Sequence, residues 1–256
     1  MSLEKKTVLS TRQAEQAGDL VAELVKRGAV AVVIPMIRII DPERWEACDD
    51  VLRSADSFDA VAFTSANAVR QFFERARALG VGSETWAKKK LYAVGEQTAN
   101  EIQRRSLAVE PLPESYSAGA LAAAMRQTDV RGLRIVLPKG NLGSEELTQA
   151  LKEMGADVRP IEVYRNAPPE PSALEEVRQR VLKNEFDVIT FFSPSAAKHF
   201  ARAVQPALVN RGKAKIAVIG PTTRLAVRRM GFPVDIEAKT STAVGLVEAI
   251  EEYFGS

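Results

Sequence analysis

The sequence has 256 residues, 46% of them hydrophobic, enough for one large domain or for two compact ones that each bury a core. Lys and Arg total 35 against 33 Asp and Glu, and a net charge of +2 argues against a broad positive field for nucleic acid or a membrane surface. One cysteine, Cys48, excludes an internal disulfide, and with one histidine, His199, it leaves too few soft ligands for a zinc or iron–sulfur site.

The chain begins MSLEKKTVLS, charged where a signal peptide needs an apolar stretch, and no run approaches the ~18 residues of a membrane span. A cytoplasmic protein is therefore expected. From Thr7, TVLSTRQAEQAGDLVAELVKRGA reads as a short apolar strand, a polar elbow at Thr11 and an amphipathic helix ending at Gly28-Ala29. Residues 30–41, VAVVIPMIRIID, are extended in character and carry a proline. Cys48 follows in ERWEACDDVLRSA, a helical pattern whose neighbouring acids raise a thiol pKa, so it is not read as a nucleophile.

Residues 58–73, FDAVAFTSANAVRQFF, repeat the strand, elbow and helix pattern, with Thr64, Ser65 and Asn67 at the elbow. LYAVGEQTANEIQRR from Leu91 does so again, with Gly95 and Thr98 at its turn. RIVLPKGNLGSEELTQALKEMGA from Arg134 closes on Gly155-Ala156 with Lys139 and Ser144 in its elbow. Residues 157–169, DVRPIEVYRNAPP, are again extended. FDVITFFSPSAAKHFA from Phe186 and IAVIGPTTRLAVRRM from Ile216 complete the set, with Ser193, Ser195, Thr222 and Thr223 at their elbows.

These segments pair off. Residues 186–201 align without a gap on 58–73, Gly220 and Thr223 fall opposite Gly95 and Thr98, and the segment from Arg134 parallels that from Thr7. The chain reads as one half written twice. Apolar strands with no polar alternation, each followed by a helix, imply parallel sheets covered on both faces. The fold class is therefore α/β, as two similar doubly wound, flavodoxin-like domains. If both extended segments cross between domains, residues 1–36 with 168–256 form one lobe, 40–163 form the other, and 37–39 with 164–167 form a two-stranded linker. A linear split near residue 130 is the alternative the repeat leaves open.

In such sheets ligands gather outside the carboxyl ends of the strands, where the elbows present helix N-termini suited to an anion. Any single Ser or Thr there is first of all a helix cap. Ser65, Asn67, Ser193, Ser195, Thr98, Thr222, Ser144 and Thr11 are all placed at or near first turns. Asp59 and Asp187 precede buried strands and read as turn residues, and His199 as a packing residue on a helix. No GxxxxGK[ST] or strand-borne GxGxxG supports nucleotide binding.

FTSANAV at Phe63, AVGEQTA at Ala93, YSAGAL at Tyr116, VLPKGN at Val136, VYRN at Val163, FFSPSAA at Phe191 and VIGPTTRLA at Val218 together resemble the uroporphyrinogen-III synthase family. The resemblance covers nearly the whole chain, although Asn166 stands where many members carry threonine. It implies a cyclising lyase, free of cofactor and metal, that closes the linear tetrapyrrole hydroxymethylbilane to uroporphyrinogen III with loss of water and inversion of the last ring. It also implies two lobes joined by a two-stranded linker, and so the discontinuous division. By similarity Tyr164 is the acid that assists departure of hydroxide, while Thr222, Thr223, Ser193 and Ser195 bind substrate carboxylates. Thr64, Ser65, Asn67, Gly95, Thr98 and Lys139 are added as binding positions on the other lobe. A phenol suits the acid role because it is protonated and neutral at pH 7. A monomer is expected, with hydroxymethylbilane as its small-molecule partner and at most a transient contact with hydroxymethylbilane synthase. The rival readings are a two-lobed small-anion binding protein without catalysis and a flavodoxin-like redox module.

Overall fold

Strands that are apolar along their whole length have both faces to bury, and Ala60–Phe63 and Val188–Phe191, buried at every residue, lie inside the two sheets that organise the described residues. The computed structural model describes residues 3–115 and 117–255; Tyr116, which opens the YSAGAL run, lies outside the described residues. The strands are β1 (Thr7–Ser10), β2 (Val30–Val33), β3 (Arg38–Ile40), β4 (Ala60–Phe63), β5 (Lys90–Ala93), β6 (Arg134–Gly140), β7 (Asp157–Ala167), β8 (Val188–Phe191), β9 (Lys215–Val218) and β10 (Ile236–Glu237). They form two five-stranded sheets, in the orders β10-β9-β8-β1-β2 and β3-β7-β6-β4-β5.

The chain divides into two compact units, one made of Met1–Arg38 with Ala167–Ser256 and the other of Ile39–Asn166. Counting its own strands in chain order, the first unit has the order 2-1-3-4-5 of the flavodoxin-like fold. The second unit has the same spatial order with its chain permuted: β7-β6-β4-β5 occupies the places of β2-β1-β8-β9, and β3 is added outside β7. The fifth place is held by residue 110 alone, whose amide donates to Leu91 O as the amide of Asp235 donates to Ile216 O in the first unit.

The repeat extends to single hydrogen bonds. Asp187 Oδ2 accepts the amide of Thr7 at 2.8 Å, and Asp59 Oδ2 accepts that of Arg134, also at 2.8 Å. Each carboxylate thereby satisfies the first donor of a central strand, which is the turn role its position before a buried strand predicts.

Each sheet carries a hydrophobic layer on both faces, because successive strand residues point to opposite sides. In β4, Val61 and Phe63 enter one cluster while Ala60 and Ala62 enter another; in β8, Ile189 and Phe191 part from Val188 in the same way. Phe63 meets Phe72 edge to face at 5.7 Å, and Phe191 meets Phe200 at 5.2 Å, so the repeat reaches the aromatic core. Cys48 is fully buried in the second unit, where burial first and the charge of Asp49 second push its thiol up to about 12. His199 Nδ1 lies 2.6 Å from the carbonyl of Met36, a packing contact of the first unit.

Thr11 departs from the expected cap. Its hydroxyl donates to Thr190 O at 2.7 Å, and Thr190 Oγ1 donates back to Leu9 O at 2.9 Å, so both buried threonines tie the end of β1 to the end of β8. A strand-end hydroxyl that can reach a neighbouring carbonyl satisfies a buried acceptor there and is unavailable to the helix that follows. Residues 30–41 are likewise not one extended run, since β2 ends at Val33 and β3 begins at Arg38.

Candidate functional site

In the second unit the chain leaves β4 through Thr64, which is half-buried, and Ser65, whose Oγ accepts the amide of Ala68 at 3.1 Å and caps the helix Ala66–Ala78. The same hydroxyl lies 3.2 Å from the Tyr164 hydroxyl, across 99 residues of sequence. Tyr164 is 9% exposed and packs with Val163 and Phe63 in the core of this unit, its ring buried and its polar tip on the elbow. That is the ordinary economy of a buried tyrosine, whose hydroxyl finds a partner while the ring packs.

Two features of β6 make room for the ring. The β6–β7 register shifts between Lys139 and Gly140, so that Lys139 pairs with Glu162 but Gly140 with Tyr164. A Cβ at Gly140 would lie 2.5 Å from the tyrosine ring and 2.9 Å from its oxygen. Gly140 is thus a glycine of close approach. Beyond it, the amide of Asn141 donates to Tyr164 O at 3.1 Å, and Asn141 Oδ1 accepts the amide of Asn166 at 3.0 Å. Gly140 and Asn141 were not singled out by sequence, because the bulge that sets them against Tyr164 leaves no mark in the strand pattern.

The other residues of this unit sit at the same edge. Asn67 lies in the first turn of its helix, where its Oδ1 accepts from Arg70, and Arg70 also reaches Glu101 Oε2 at 3.2 Å. Glu101 receives Arg105 at 2.7 Å and Arg104 at 3.3 Å as well. Burial pushes this carboxyl up, but the three arginines outweigh it and hold it below its ordinary value. Gly95 is the N-cap position of the helix Glu96–Gln103, and Thr98 in its first turn is 4% exposed. Lys139 is ion-paired with Glu145, which lowers the Glu145 pKa.

In the first unit Ser193 Oγ accepts the amide of Ala196 at 3.2 Å and caps the helix Pro194–Ala203, with Ser195 half-buried in its first turn. Gly220 is the N-cap position of the helix Pro221–Arg229; Thr222 is exposed there and Thr223 is 3% exposed. Two elbows were missed by sequence. Ser117 Oγ accepts the amide of Ala120 at 3.1 Å after the residue-110 segment, and Thr242 Oγ1 accepts that of Gly245 at 3.0 Å after β10. Extending the repeat from Leu91 and Ile216 sets YSAGAL against STAVGL, which would have found both.

Among the described residues no group of three or more His, Cys, Asp or Glu could hold a metal ion, and no helix is long and apolar enough to cross a membrane. The arrangement offers hydroxyls, helix N-termini and the buried Tyr164 phenol at strand carboxyl ends, a set suited to polyanion binding and proton donation.

A family model described as uroporphyrinogen-III synthase HemD matches residues 18–248. The chain is 29% identical over 248 residues to uroporphyrinogen-III synthase of Chlorobaculum parvum, covering 96% of this chain and 98% of that protein. It is 29% identical over 259 residues to the enzyme of Synechococcus elongatus, covering 97% and 95% of the two chains. In fold it is similar to uroporphyrinogen-III synthetase of Helicobacter pylori, with a TM-score of 0.65, 16% identity and coverage of 97% and 99%.

Proposed function

This chain belongs to the uroporphyrinogen-III synthase family, and we propose that Tyr164 and the strand-end elbows carry the family's reaction in it. The enzyme is a cyclising lyase of tetrapyrrole biosynthesis that closes hydroxymethylbilane to uroporphyrinogen III.

The substrate bears an acetate and a propionate on every ring, so binding it requires many donors, and joining its two ends requires that a flexible chain be held folded. Ser193, Ser195 and Thr222 in the first unit, and Thr64, Ser65, Asn67, Gly95 and Lys139 in the second, supply donors for these carboxylates. Thr98 and Thr223, whose side chains are buried in the first helical turns behind these elbows, belong to the same proposed carboxylate-binding set. Chemistry starts with departure of the hydroxyl: the C–O bond breaks, the nitrogen of the same pyrrole supplies the electron pair, and Tyr164 supplies the proton, so that water leaves. Ring closure proceeds through a spiro intermediate, and the proton released when the last pyrrole regains aromaticity returns to the phenolate.

The observation that carries this reading is the Tyr164 hydroxyl, held 3.2 Å from Ser65 Oγ at the head of a helix while its ring stays in the core. A proton donor fixed from both ends loses little freedom when it acts. The decisive experiment is incubation with freshly generated hydroxymethylbilane followed by separation of isomers. Spontaneous closure yields the type I isomer, so type III product is expected, and failure to bias the product toward type III overturns the reading. The working form we propose is a cytoplasmic monomer that takes its unstable substrate in a transient contact with hydroxymethylbilane synthase. Monomeric elution alone, with faster transfer when the synthase is present, is the expected outcome.

A further inference from the structure

The internal repeat places a basic residue at the end of the leading strand of both units, Arg12 after β1 and Lys139 in β6, and the two are treated in opposite ways. Lys139 is neutralised by Glu145. Arg12 has no carboxylate within ion-pair distance among the described residues; it lies over the ring of Phe192, 4.4 Å from its centroid. Burial lowers its pKa below the usual guanidinium value, and Asp19, acting from beyond contact distance, only partly restores it. A half-buried cation held without a counterion is costly unless something supplies one.

The missing acid has a known place. Aligning Thr7 with Arg134 sets Gly18 opposite Glu145, inside the helix Ala14–Lys26. Glycine weakens a helix interior, and here no close contact demands it, because nothing lies within 4 Å of where its Cβ would stand. In the alignment the residue opposite the Lys139 counterion therefore carries no acid, the helix of the first unit beginning earlier, at Ala14, than that of the second, at Glu146. The platform under Arg12 is also fixed: the reciprocal threonine pair ties Thr11, its neighbour, to Thr190, two residues before Phe192. Ser193, next along, caps its helix at the same edge.

We infer that Arg12, stacked on Phe192, is a carboxylate clamp of the first unit that takes one acetate or propionate of the tetrapyrrole as the counterion the fold withholds. The guanidinium presents two parallel N–H donors to a carboxylate while its face stays on the ring. The inference rests on the enzymatic reading above and adds to it a residue that acts in binding.

Steady-state kinetics of type III formation test it with two variants. Arg12→Met keeps the stem and removes the charge, and it is expected to raise KM for hydroxymethylbilane about ten- to a hundred-fold, as loss of one charge-assisted contact does, with kcat within about threefold. Gly18→Glu restores the acid found at Glu145 and is expected to raise KM about tenfold by occupying Arg12 from within, while raising the melting temperature. A KM within about twofold of wild type in Arg12→Met overturns the clamp, as does a loss confined to kcat. Should Arg12→Met melt more than about 5 °C below wild type, Gly18→Glu decides in its place, and an unchanged KM there overturns the inference. If the wild type forms no excess of type III, the failure lies in the enzymatic reading and not in Arg12.

Discussion

At the scale of single residues, Tyr164 is set by its neighbours more than by its own strand. Its hydroxyl rests on Ser65, and its ring occupies space that exists because residue 140 has no side chain. Tyr164→Phe is therefore expected to keep the fold and lower type III turnover about 10- to 100-fold, at or below the lower end of the usual general-acid contribution. Gly140→Ala should cost a similar factor, since its Cβ would stand 2.5 Å from the ring and the ring must move. If glycine acts only by making room, Gly140→Ala has almost no further effect in a Tyr164→Ala background, where the ring is gone. A double-mutant cycle on initial rates reads this coupling, and additive losses would show that Gly140 matters for some other reason.

Elements are joined by paired groups whose charge depends on pH. The helix Glu46–Arg53 is fastened to the helix Ala66–Ala78 by Asp49, which accepts Arg75 Nε at 2.7 Å and Nη2 at 2.6 Å. That hydrogen-bonded pairing lowers the Asp49 pKa although burial opposes it. A carboxyl whose folded pKa is depressed contributes stability above its unfolded value, ~3.9, and loses it as pH falls through the folded value. Asp49→Asn is accordingly expected to cost about 2 kcal/mol at pH 7. The gap from wild type should close as pH is lowered from about 4 towards 2, as urea unfolding at each pH would record. A gap that stays constant through this window would remove the ion pair as its cause.

On the scale of the molecule, each unit has its own pair of hydrophobic layers. Phe72 is fully buried and touches Phe63, Phe73 and Trp86, with ring centroids 5.7, 5.3 and 5.0 Å away. Phe72→Ala should cost about 3–5 kcal/mol. The loss is expected in the amide exchange of residues 39–166, while the slowest amides of β1 and β8 keep their protection. Equal loss of protection in both sheets would mean that the chain unfolds as one cooperative body.

Much of this is legible in the sequence. Apolar strands, polar elbows and amphipathic helices recur along the chain, and this local pattern with its repetition carries the parallel α/β class and the likeness of the two sheets. The resemblance of the elbow strings carries the family. What the tertiary structure alone decided are pairings between residues far apart in the chain: Tyr164 with Ser65, Thr11 with Thr190, Arg12 with Phe192, Glu101 with Arg70. The repeat aligned Arg12 with Lys139, yet it could not tell that one has an acid and the other a ring, because an ion pair or a stacked face depends on which strand ends are neighbours and on which side the side chains emerge. Strand identity is written locally in hydrophobic period; register, bulges and strand order arise from contacts that form only when the sheet closes.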